Sequence, residues 1–66
     1  MVTPEALETL VHANGWRLEW QKRHQTRYAY AVRGSRKNRL KRYLCGEHEL
    51  PEMEEEKKQK IETRLQ

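Results

Sequence analysis

Ten lysines and arginines lie between residues 17 and 42 of this 66-residue chain: Arg17, Lys22, Arg23, Arg27, Arg33, Arg36, Lys37, Arg39, Lys41 and Arg42. One acid, Glu19, stands among them, so the local balance is +9, while the flanks carry −2 before this stretch and −3 after it. The whole-chain charge of +4 therefore understates a strong internal asymmetry. Cations gathered in this way neutralise phosphates, and an arginine can also give two donors to O6 and N7 of guanine in the major groove. Binding of nucleic acid is the chemistry these side chains suit best. A solvated strand face or a protected sheet edge also uses lysine and arginine, but random solvation would be expected to mix signs.

Other chemistry finds little support. Cys45 and His48 stand three apart, half of a zinc-type spacing, and the second half is missing: His12 and His24 fall in other segments, with no CxxC or HxxxH pattern. Structural zinc takes four ligands, so no metal is expected, nor any other cofactor. A Cys–His nucleophilic pair would need an oxyanion hole and a pocket, which nothing here supplies. Glu54, Glu55 and Glu56 fit the start of a helix, where carboxylates meet the positive end of the macrodipole. No enzymatic activity is expected. Tyr28 and Tyr30 have rings able to stack on unpaired bases, but the alternation around them assigns them to the core.

The elements that must hold the cations follow from capping and period. Thr3 can cap a helix, Pro4 suits its first position, and Leu7, Leu10 and Val11 make one apolar stripe before Asn14-Gly15 stops it. From Trp16 the period changes to two. Trp16, Leu18 and Trp20 alternate with Arg17, Glu19 and Gln21, and after a polar turn in 22–26, Tyr28, Tyr30 and Val32 alternate with Arg27, Ala29, Ala31 and Arg33. A second polar connection, 34–38, leads to Leu40 and Leu44, alternating with Arg39, Lys41 and Tyr43. Arg42 shares the parity of the leucines, which places it at a sheet edge with its stem on apolar surface and its head in water. The expected fold class is α+β: a three-stranded antiparallel sheet packed against the N-terminal helix in residues 1–50, then a charged C-terminal helix in 51–66. That last helix carries a thin stripe of Met53, Ile61 and Leu65, able to dock weakly, to pair with a second copy, or to fray. Its acidic start could also fold back over the basic surface.

On this parity the inner face holds Trp16, Leu18, Trp20, Tyr28, Tyr30, Val32, Leu40 and Leu44. The uncovered face presents Arg17, Arg27, Arg33, Arg39, Lys41 and Tyr43 around a flat centre of Ala29 and Ala31, with Arg36 and Lys37 on the adjoining loop. A small sheet with a flat basic face fits the major groove of duplex DNA, so DNA is expected ahead of RNA.

Size and composition set the limits. A chain this short buries only about 60% of its unfolded surface, which leaves a folding margin of a few kcal/mol and argues against a deep catalytic pocket. Its mean hydropathy of −1.23 and 36% charged residues border on disorder, yet the apolar residues are clustered. No apolar run approaches the roughly 20 residues that span a bilayer, and no basic segment leads into an apolar one. With a single cysteine, Cys45, an internal disulfide is impossible, and a cytoplasmic setting with no membrane partner is expected.

Arg27-Tyr28-Ala29-Tyr30, a polar turn, Arg42-Tyr43-Leu44-Cys45-Gly46 and a helix from near Leu50-Pro51-Glu52 together resemble a pattern of small bacterial and phage proteins. There a Tyr-x-Tyr strand and an Arg-Tyr-Leu-Gly strand share a three-stranded sheet. The stretch 16–50 is also similar to the arm-type DNA-binding domains of tyrosine recombinases, whose sheet enters the major groove. The likeness implies DNA contact through Arg27, Arg33, Arg39, Lys41 and Tyr43. Two other functions remain open. One is a protein-interaction adaptor, docking an acidic partner or adding a strand at a sheet edge, with oligomerisation through the last helix. The other is an RNA-binding or ribosome-associated factor.

Overall fold

The first helix begins where the capping signals place it. In a computed structural model that describes residues 1–35 and 37–66, α1 spans Pro4–Ala13, and the Thr3 hydroxyl oxygen accepts the Ala6 N–H at 3.0 Å. Val2 and Leu7, on either side of that cap, both join the core, as in a hydrophobic staple. Asn14 and Gly15 end the helix, Gly15 at φ +83°.

Three strands follow, β1 (Arg17–Arg23), β2 (Thr26–Arg33) and β3 (Leu40–Gly46), in an antiparallel meander of order β1-β2-β3. Two residues, His24 and Gln25, join β1 to β2, because Arg23 pairs directly with Thr26. His24 takes the turn at φ +58°, a left-handed conformation that costs a non-glycine residue energy and suits a tight hairpin. At the other connection Gly34 sits at φ +101°, where an added Cβ would lie 2.2 Å from the Asn38 carbonyl oxygen. Only glycine fits there.

The two-residue turn decides which face each side chain takes. It sets Leu18 opposite Ala31 and Trp20 opposite Ala29, so both alanines share a face with both tryptophans. Ala29 and Ala31 are fully buried. The expected parity of β2 is therefore reversed: Tyr28, Tyr30 and Val32 point to the other side. Volume explains the choice, since two indoles beneath a helix leave room for methyl groups across the strand pair and not for two more rings. Leu40 is also corrected, being half exposed at the start of β3, opposite Arg33. Arg42 lies exposed on the edge strand, as expected.

A bulge lets β3 serve both sides. Ala29 pairs with Cys45 but Tyr30 pairs with Tyr43, leaving Leu44 as the extra residue. Leu44 and Cys45 consequently both turn inward and are buried, while Tyr43 stays outward.

After β3 come a 3₁₀ helix (Glu47–Glu52) and α2 (Glu55–Leu65). Of the three outcomes weighed for the last helix, docking is the one observed. Met53, Ile61 and Leu65 are buried in the same cluster as Leu7, Val11, Trp16, Ala29, Ala31 and Leu50. The Trp16 indole N–H donates to the Leu65 carbonyl at 2.8 Å, and the Val2 N–H donates to the Leu50 carbonyl at 3.0 Å. Both α-helices thus pack on the tryptophan–alanine face, and among the described residues the other face meets only the 3₁₀ helix, at its Tyr28 end. No helix among the described residues is long and apolar enough to cross a membrane.

Candidate nucleic-acid interface

The uncovered face is aromatic at its centre and cationic at its borders. Register places Arg17, Glu19, Gln21 and Arg23 of β1, Tyr28, Tyr30 and Val32 of β2, and Lys41 and Tyr43 of β3 on this side. Tyr30 and Tyr43 are direct cross-strand partners with ring centroids 5.5 Å apart in an edge-to-face arrangement. Tyr28 lies 6.4 Å from Tyr43, tilted by 45°, and meets the His48 ring at 6.3 Å. Tyr43 is 47% exposed and its two neighbours are partly so. The Lys41 ammonium stands 4.6 Å from the Tyr30 ring centroid, close enough for a cation–π attraction of about 0.5–1 kcal/mol. Val32 is buried although it belongs to this face, between its cross-strand partners Arg17 and Lys41.

Electrostatics tie the face together. Glu19 accepts from Arg39 at 2.5 Å, and its other oxygen lies 3.7 Å from Lys41. The hydrogen bond from Gln21, and then the charges of Arg39 and Lys41, hold the Glu19 carboxyl below the ordinary carboxylate range. Partial burial pushes the Tyr43 hydroxyl above its usual value, with Glu49 adding to the effect.

Of the eight residues expected from sequence at the interface, Arg17, Lys41 and Tyr43 are on this face and Arg39 reaches it through Glu19. Lys37 is exposed on the β2–β3 loop, and Arg36 lies outside the described residues. Arg27 and Arg33 belong to the opposite face, and here the expectation is corrected. They share the parity of Ala29 and Ala31, and their guanidinium groups cover the borders of the tryptophans, Arg27 at 4.9 Å from the Trp20 ring and Arg33 at 5.7 Å from Trp16. Arg27 is also paired with Glu47. Tyr28 and Tyr30, weighed for stacking but assigned to the core, belong to this face, and Val32 and the bridging position of Glu19 were missed from sequence. The size contrast between tryptophan and alanine was the signal that could have found them.

Of the remaining candidates, His48 borders this face at Tyr28. Cys45 is buried, and loss of water around the thiol pushes it up to about 11, so it is not poised as a nucleophile. No group of three or more His, Cys, Asp or Glu among the described residues could hold a metal ion. A groove of about 520 Å³ runs between the 3₁₀ helix and α2, floored by Leu44, Met53 and Ile61 and rimmed by acids and lysines, including the Lys57–Glu49 pair at 2.6 Å. Comparisons with protein-family models, with curated proteins and with solved structures found no match to this chain.

Proposed function

We propose that this protein binds nucleic acid without catalysis, through the uncovered face of its sheet, and that unpaired bases stacked on tyrosine are its preferred ligand. The observation that carries this is the cluster of Tyr28, Tyr30 and Tyr43 on the face opposite α1 and α2, bordered by Arg17, Arg23, Arg39 and Lys41. Aromatic rings give each base a surface to stack on, and cations along the same sheet track the backbone. Duplex DNA, expected first from sequence, required small side chains at the centre of the exposed face. Those alanines face the core, so the duplex is the competitor in the test. The likeness to arm-type domains is the reason to include it.

The test is fluorescence anisotropy with single-stranded DNA, single-stranded RNA and random duplex DNA as salt is raised. Contact with three or four phosphates gives a log–log slope of about −2 to −3 on single strands. Tyr30→Ala and Tyr43→Ala each weaken single-strand binding by about 1–3 kcal/mol while circular dichroism stays unchanged. Duplex binding that exceeds single-strand binding and ignores both substitutions would refute the stacking reading. Failure to bind any nucleic acid would leave the adaptor reading, which the unpaired edge of β3 favours.

A further inference from the structure

One carboxylate stands beside the tyrosines, on the edge strand β1. Glu19 is opposite Tyr30 on β1, yet both of its cationic partners, Arg39 at 2.5 Å and Lys41 at 3.7 Å, lie on the far side of β2. The contact therefore passes over the Tyr30 row, where the Lys41 ammonium is 4.6 Å from the ring centroid. Gln21 steadies the carboxylate from its own strand, donating to Oε1 at 3.1 Å. Two cations beside an aromatic ring are what a strand phosphate next to a stacked base requires. Here an anion of the protein already holds them.

We infer that Glu19 is an internal stand-in for a backbone phosphate, holding Arg39 and Lys41 beside Tyr30 until nucleic acid displaces it. This role rests on the nucleic-acid reading above. It has two opposed effects. The long side chains of Arg39 and Lys41 are ordered before the ligand arrives, which lowers the entropy lost on binding. The displaced carboxylate then stays close to the incoming phosphate and repels it, so a ligand needs stacking as well as charge to win the site. Glu19 in this way selects a strand with bases over a bare polyanion.

Glu19→Gln keeps the size of the side chain and removes its charge. Binding of a labelled single-stranded oligonucleotide, with inorganic polyphosphate as competitor, separates the effects. The variant should bind the oligonucleotide about fivefold more tightly at low salt, the size of one like charge removed at about 4 Å in water. Its log–log salt slope should steepen by about 0.7, because one carboxylate no longer offsets the phosphates that Arg39 and Lys41 neutralise. Polyphosphate should gain more than the oligonucleotide, and Lys41→Gln should cost more affinity in the variant than in the parent. Equal affinity and equal slope in parent and variant would overturn the role of Glu19 while leaving the nucleic-acid reading intact. A parent that binds no oligonucleotide overturns both.

Discussion

Ala31→Val gives opposite signs for the two possible orientations of β2. If residue 31 faced water, valine would raise stability by up to about 1 kcal/mol, because β-branched residues suit a pleated surface better than alanine. In the structure Ala31 is fully buried, opposite Leu18 on one strand and Arg42 on the other, in the cluster that contains Trp16, Leu7 and Val11. Two added carbons would have to be accommodated within that buried cluster. Overpacking of this kind costs about 1–3 kcal/mol, a large part of a margin that is itself a few kcal/mol for a chain of this length. In a domain this small each kcal/mol moves Tm by about 4–8 °C, so a fall of at least about 5 °C is expected in thermal unfolding followed by far-UV circular dichroism. A Tm equal to or above that of the parent would show that Ala31 is not packed against the helices, and the assignment of the tyrosines to the exposed face would fall with it.

Two further outcomes are expected. Trp16→Phe removes the indole donor to the Leu65 carbonyl and leaves that acceptor unmatched, which should cost about 1–3 kcal/mol in urea unfolding; an unchanged midpoint would mean that α2 is not anchored at its end. Glu49 is held below its ordinary value of 4.5 by the Gly46 N–H first and by Lys57 second, so the unfolded chain takes up its proton before the folded one. Its stabilising effect is therefore present above about pH 4.5 and lost as pH falls through the lower folded value. Glu49→Gln should remove part of the acid-induced drop in Tm, and identical profiles for the two proteins would count against the contact.

Much of this fold is legible in the chain because local signals agree. Thr3, Pro4 and the Leu7–Leu10–Val11 spacing specify α1 without help from the rest of the molecule, and the alternations from Trp16 onward specify strands. The face of β2 is different. Arg27 to Arg33 alternates equally well in either orientation, and a polar run from Lys22 to Thr26 hides whether the turn holds two residues or three. Only packing against Trp16 and Trp20 settles it, and that is a property of the assembled layers. The bulge at Leu44 is hidden for the same reason, since one extra residue leaves no mark on composition. The stripe of Met53, Ile61 and Leu65 looks thin because Lys57 interrupts it, which leaves docking, pairing and fraying open; its partner surface, which includes Trp16, lies far away in sequence. The candidate face was legible as a charge pattern and illegible as a geometry. Tyr43, Lys41 and Arg17 were placed correctly by alternation, whereas Arg27 and Arg33 went with the strand whose orientation was ambiguous.

The His24–Gln25 hairpin works as a phase setting. Lengthening it by one residue would set the pairing phase against the packing, since the space that admits the methyl groups of Ala29 and Ala31 does not admit two phenols. The recognition chemistry proposed for this face thus depends on a count of residues in one loop as well as on the identity of its side chains. A single-codon insertion there would erase it more thoroughly than loss of any one tyrosine.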